Sequence, residues 1–163
     1  MGNVISLVDE QGNLFGEDTS VSEESNLSRK QLGRYAEFMV CAELSKLGYS
    51  VWHCDAPGFD AVLVTEDRSF RIQVRATTNI DNGYCSWMCR KGYGNRDESG
   101  FLKTRSLNRT DTDLIGLYHL IFGTLIFVTT DELPAGGSLK LPVSQVRDHD
   151  CSKSLERALE RFR

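Results

Sequence analysis

Apolar residues recur at helical spacing between positions 32 and 47: Leu32, Ala36, Met39, Val40, Leu44 and Leu47. Positions three and four apart share one face of a helix. Ser28 followed by Gln31 fits a capping box, in which each side chain satisfies a backbone N–H of the first turn. The pattern predicts a helix from there to about Leu47, ended by Gly48, which accepts the left-handed backbone of a helix C-terminus. The period then changes. Residues 50–54 read as a short strand, Ala56-Pro57-Gly58 as a turn, and 61–64 as a buried strand opened by Asp60. After a hairpin-like turn at 66–68, residues 69–76 alternate, with Phe70, Ile72 and Val74 on one face and Arg71, Gln73 and Arg75 on the other. Further strands are predicted at 84–89, 113–118 and 124–129, with an edge segment at 139–143 limited by Pro142. Residues 152–162 form an amphipathic helix. Residues 90–109 are polar, basic and glycine-containing, and read as a long loop with at most one helical turn. A helix, several strands and a closing helix argue for a compact α/β or α+β sandwich.

The 163 residues suit one domain with a short tail, and 40 % hydrophobic with 26 % charged residues places them among soluble globular chains. No apolar run approaches the roughly 20 residues that span a bilayer. The N-terminus lacks the basic and apolar regions of a secretory signal. Five scattered cysteines, an odd number, read as reduced thiols, so the expectation is a cytoplasmic protein. The net charge of −4 is unevenly spread. Residues 1–28 hold Asp9, Glu10, Glu17, Asp18, Glu23 and Glu24 with no Lys or Arg, and read as a flexible acidic arm. The domain then occupies 29–163. Within it Arg90, Lys91, Arg96, Lys103, Arg105 and Arg109 face only Asp97 and Glu98 in their segment. That is either a solvated loop or a surface for a polyanion.

Three polar positions interrupt the strand pattern. Gln73 and Arg75 lie two apart, on one face and roughly 6.5 Å apart along the strand. If the strands before and after 66–68 pair as a hairpin, Asp60 joins them. A carboxylate, an amide oxygen and a cation suit a hard divalent metal with a phosphate beside it. The alternative is a solvated sheet face. Cys85 and Cys89 with His53 and Cys54 lack the spacing of a zinc knuckle, and the first two read as small core residues. Tyr84, Trp87 and Tyr93, beside Arg90 and Lys91, either stack on bases or, for Trp87, belong to the core.

The order of these pieces changes the picture. Gly33-Arg34-Tyr35-Ala36-Glu37 on a helix is followed by Pro57-Gly58-Phe59-Asp60 and then Ile72-Gln73-Val74-Arg75. This resembles the PD-(D/E)XK nuclease superfamily, closest to small intron-encoded homing endonucleases and Holliday-junction-resolvase-like proteins. The resemblance covers roughly 32–78 and, more loosely, 111–118. It implies a restriction-endonuclease-like α/β core, a mixed central sheet flanked by helices. It implies a metal-dependent DNA endonuclease using Mg²⁺, with Mn²⁺ as a substitute. Asp60 would anchor the ion, the Gln73 side-chain oxygen and the Val74 carbonyl would complete its shell, and Glu37 would act through a water or a second ion. Glu43 is a rival carboxylate on the same helix. The basic segment would contact DNA phosphates. Two departures stand out. Gln73 replaces an acidic residue. Arg75 replaces a lysine and, always protonated, cannot act as a base. The alternative function is therefore a non-catalytic DNA-binding or interaction protein on the same fold, recruited through its N-terminal arm. Within that arm, Gln11-Gly12-Asn13-Leu14-Phe15 resembles the Q-x-x-L-F peptide that docks on bacterial sliding clamps, with Gln11, Leu14 and Phe15 filling the pockets. Cutting both strands of a duplex usually requires two such domains, so a homo-oligomer is one of the open alternatives for the oligomeric state.

Overall fold

The computed structural model describes residues 28–56, 58–96 and 102–163. Helix α1 (Arg29–Lys46) starts at the capping box: the Gln31 N–H donates to Ser28 Oγ at 3.3 Å and the Ser28 N–H to Gln31 Oε1 at 2.8 Å. It ends as the sequence requires, with Gly48 at φ +88°. Strands β1 (Ser50–Ala56), β2 (Phe59–Val64) and β3 (Ser69–Thr77) follow as an antiparallel meander. Then come β4 (Ile80–Asp81), β5 (Tyr84–Met88), β6 (Arg90–Arg96), β7 (Leu102–Ser106), β8 (Leu114–His119) and β9 (Thr124–Thr129). A 3-10 turn at Thr130–Glu132, β10 (Ser138–Pro142), α2 (Val143–Arg147) and α3 (Cys151–Glu160) close the chain.

The central sheet runs β1-β2-β3-β8-β9, with β3 and β8 parallel and the other pairs antiparallel. One face is covered by α1 and α3. Ala36, Val40 and Leu44 meet Ala61, Leu63, Ile72 and Val74, while Leu155 and Ala158 pack into the same core with Phe127. The other face carries the small sheet β10-β5-β4, whose Cys85, Trp87 and neighbouring Cys89 pack on Ile115, Leu117, Ile126 and Val128. All six residues of β8 are buried, as a strand covered on both faces should be. Cys85 and Cys89 are therefore core residues. So is Trp87, whose indole N–H donates to the Tyr118 carbonyl at 3.2 Å, which removes it from any stacking on bases.

The expected loop at 90–109 is corrected by the structure. Strands β6 and β7 form an antiparallel ribbon, from Arg90 opposite Ser106 to Arg96 opposite Leu102. Among the described side chains neither strand contributes to a core, and neither sequence shows the apolar alternation that announces a strand. The base of the ribbon is held by polar contacts instead. The Cys89 N–H donates to the Gly137 carbonyl at 2.7 Å, and the Leu107 N–H to the Cys89 carbonyl at 3.0 Å. Lys91 and Arg105 face each other directly across it. Two like charges so placed repel, but the buried Asp111 sits between them. It accepts from Lys91 Nζ at 3.0 Å and from Arg105 at 2.6 and 2.9 Å.

The Arg105 guanidinium above all, with Lys91 and the Asn108 N–H, outweighs burial and holds the Asp111 carboxyl well below the usual carboxylate range. A depressed folded pKa gives stability that is present above the unfolded value and lost as pH falls through the folded one. Asp111→Asn should thus lower stability at pH 7. The loss should fall short of the ~3–5 kcal/mol of a fully buried pair, because both cations are partly exposed. The gap to the parent should close progressively below about pH 3.9. Urea denaturation across that range measures it, and a gap indifferent to pH would refute the account.

Candidate functional site

The site lies where β2 and β3 part. Their ladder runs from Val64–Ser69 to Ala61–Ile72 and stops, while β3 continues alongside β8 to Thr77. On the other side of β2, His53 faces Ala61 and Ala56 faces Phe59, so Cys54 and Asp55 together stand opposite Asp60. Such bulges bend a strand and re-aim side chains, often beside active sites. Beyond Ile72, Val74 has lost its backbone partner on the β2 side. Asp60 replaces it: Oδ2 accepts the Val74 N–H at 2.7 Å and the Gln73 side-chain amide. The Val74 carbonyl accepts from Arg75 Nη1 at 3.2 Å, and Arg75 Nη2 reaches the Arg90 carbonyl at 3.1 Å, tying β3 to β6. Arg75 Nε is buried with no hydrogen-bond partner among the described residues.

Glu37 approaches from α1. Its Oε2 accepts from Arg34 Nη1 at 3.1 Å and lies 2.9 Å from His53 Nε2. Arg34 also grips Asp55 through both terminal nitrogens. Glu37, Asp60, Gln73, Val74 and Arg75 line one cleft of about 380 Å³, with Arg29, Thr77 and Thr78 at its margin. The five residues drawn from the sequence are thus brought together. Glu43 is not among them and pairs with Lys46 at 3.5 Å. A larger cavity of about 720 Å³ lies at the opposite end of β1 and β2, under Arg68, Phe70 and Phe162, and contains none of the five.

Burial chiefly, with the charge of Glu37, pushes the Asp60 carboxyl upward, against the Val74 N–H, the Arg75 charge and the Gln73 amide, which favour the anion. An anion at Asp60 is therefore incompletely compensated. The donors here are hard oxygens, which suit Mg²⁺ or Mn²⁺. Gln73 donates to Asp60 as it stands, and a half-turn of its amide presents Oε1 instead. The Val74 carbonyl already accepts from Arg75 Nη1, which leaves its second lone pair for an ion but sets a positive charge beside it. Among the described residues no three His, Cys, Asp or Glu side chains cluster as a metal site. The set that fits is mixed: one carboxylate, one amide, one backbone carbonyl, with Glu37 beside them.

The basic candidates are differently engaged. Lys91 and Arg105 bind Asp111, Arg109 binds Asp131, and Arg90 Nε donates to the Gly136 carbonyl. Lys103 is exposed on β7, and Arg96 ends β6. Tyr84 is exposed on β5, and Tyr93 lies on β6. The Asp111-Thr112-Asp113 segment is used for architecture, since Asp113 takes the Arg71 backbone N–H at 2.8 Å and its guanidinium at 3.1 Å. Gln11, Leu14 and Phe15 lie outside the described residues. Sequence reasoning assigned no role at this site to Arg29 or Arg34, and weighed His53 only as a zinc ligand. The spacing of Arg29 and Gly33 from Glu37, eight and four residues along one helix face, was a signal for the first. Nothing local marks His53.

No protein-family model matches the sequence, and no curated protein sequence matches it either. Solved structures do. One is a bacterial homing endonuclease, I-Ssp6803I, with a TM-score of 0.64 and 17 % identity over 83 % of this chain and 96 % of that one. The chain has that nuclease-like fold: a mixed α/β domain whose central mixed sheet is flanked by helices. Among the described residues no helix is long and apolar enough to cross a membrane.

Proposed function

We propose that this chain is a metal-dependent DNA endonuclease of the PD-(D/E)XK type, hydrolysing phosphodiester bonds. The observation that carries the reading is the convergence of Glu37, Asp60, Gln73, Val74 and Arg75 on one cleft at the strand splay of a nuclease-like fold. Asp60, Gln73 and Val74 would hold Mg²⁺, or Mn²⁺ in its place, with Glu37 acting through a water. The ion, when bound, stabilises charge on the phosphate and lowers the pKa of the attacking water. Arg75 keeps a fixed positive charge beside the phosphate and takes no proton. Cleavage of supercoiled, linear and branched DNA with Mg²⁺, Mn²⁺ or EDTA tests the reading. A protein that binds DNA and never cuts it with either metal would overturn it and support a non-catalytic DNA-binding protein. That second reading is favoured by the bond from Arg75 to the Val74 carbonyl, which takes one of its lone pairs and sets a fixed positive charge where the ion would bind. Recruitment to a sliding clamp through Gln11, Leu14 and Phe15, and pairing of two copies to cut both strands, belong to the same proposal.

In this reading DNA lies along the ribbon, against Arg90, Lys91, Arg96, Lys103, Arg105 and Arg109. Those committed to Asp111 and Asp131 have part of their charge answered internally, so Lys103 should carry more of the salt response. Lys103→Ala should reduce the slope of log K against log salt by about 0.9, one phosphate contact. Binding titrations at several salt concentrations read this directly. An unchanged slope would place the DNA elsewhere.

A further inference from the structure

We infer that His53 is a positioning residue for the metal site, fixing the Glu37 carboxylate from behind, an inference that rests on the endonuclease reading. The contacts to Glu37 from Arg34, at 3.1 Å, and His53, at 2.9 Å, end on the same oxygen, Oε2. Oε1 is left as the oxygen through which Glu37 can serve the cleft. His53 Nε2 also lies 3.2 Å from Arg34 Nη1, and one ring nitrogen cannot donate to the carboxylate and accept from the guanidinium together. Donation to Glu37 is the shorter contact and is charge-assisted. Arg34 is itself anchored by Asp55, so it cannot follow Glu37 if the carboxylate turns.

The ring is fixed in turn. Phe38, the residue after Glu37 on α1, stacks on it with centroids 4.8 Å apart and planes 27° apart. Along β1, His53 is the last regular position before the bulge that faces Asp60. The same short stretch of backbone therefore sets both carboxylates of the cleft, one through the opening at Asp60 and one through the imidazole on Glu37. Partners that orient a metal-ligating group from outside commonly change metal affinity about 10–100-fold when removed.

The test uses the full chain with His53→Phe, which keeps the stack on Phe38 and removes the donor, and His53→Gln, which restores an N–H donor. Free Mn²⁺ is measured by electron paramagnetic resonance, alongside thermal unfolding without metal and cleavage as a function of Mg²⁺. The expected result is Mn²⁺ binding weakened about 10-fold in His53→Phe, the lower end of the effect for a direct ligand's partner, because Glu37 reaches the ion through a water. The Mg²⁺ dependence of cleavage should shift by the same factor, the rate at saturating metal should be largely retained, and His53→Gln should recover most of the affinity. A purely structural contact would lower the melting temperature and leave Mn²⁺ affinity alone. That outcome, in a parent that binds Mn²⁺ and cuts DNA, overturns the role of His53 and spares the endonuclease reading. A parent that neither binds Mn²⁺ nor cuts overturns both.

Discussion

Asp60→Asn should abolish cleavage while leaving the melting temperature of the metal-free protein unchanged or raised. The rate should fall by at least about 10²–10³-fold, the scale of losing one preorganised electrostatic group. Stability should move the other way because burial pushes the Asp60 carboxyl up. A folded pKa above the unfolded one contributes stability below the unfolded value and loses it as pH rises through the folded value. At pH 7 the ionised side chain therefore weakens the fold, and a neutral amide that still accepts the Val74 N–H removes that cost. The difference should vanish below about pH 3.9, where the parent side chain is neutral too. Metal separates the two proteins again: at 100 times its dissociation constant an ion stabilises the parent by about 2.7 kcal/mol and leaves the variant unmoved. Calorimetry with and without Mg²⁺, beside a plasmid assay, measures all of this. A variant that melts far below the parent yet still cuts would show that Asp60 is only a strand-end cap.

At position 75 the two functional readings diverge most. Arg75→Ala should cost about 2.7–4 kcal/mol of transition-state stabilisation, with little loss of DNA affinity. Arg75→Lys should keep or raise the rate. Lysine is a point charge on a flexible stem and lacks the planar fork with which the guanidinium spans the Val74 and Arg90 carbonyls. It keeps the positive charge and relaxes the hold on the Val74 carbonyl. The lost tie to β6 should appear separately, as about 0.5–1.5 kcal/mol of stability for a hydrogen bond. If the protein only binds DNA, the parent does not cut, Arg75→Ala binds more weakly, and Arg75→Lys either stays inert or gains cleavage. Rates and dissociation constants for the two variants decide.

Much of the half of the chain that builds the site was legible. The apolar spacing of Leu32, Ala36, Val40 and Leu44, the cap at Ser28 and the alternation through Phe70, Ile72 and Val74 are local signals, and each element formed where they pointed. Asp60, Gln73 and Arg75 were expected to meet because a hairpin would bring them together. They meet because that hairpin ends at Ile72 and a side chain takes over the ladder. The ribbon was hidden because its sequence is polar and basic, without the apolar alternation of a half-buried strand. Trp87 was ambiguous because its partners lie on β8 and β9, reached only through tertiary packing. The link from His53 to Glu37 joins residues sixteen apart on different elements, and no periodicity encodes it.

The splay at Ile72 also gives the cleft its own spectroscopic probe. The Val74 amide proton is shared with one oxygen of Asp60 rather than with a strand. Its nuclear magnetic resonance frequency is tied to the charge on that carboxylate, while the amides of β3 that remain in the ladder are tied to the sheet. A titration followed at this one proton therefore reads the ionisation of Asp60, and any cation that arrives beside it, without touching the side chain by mutation.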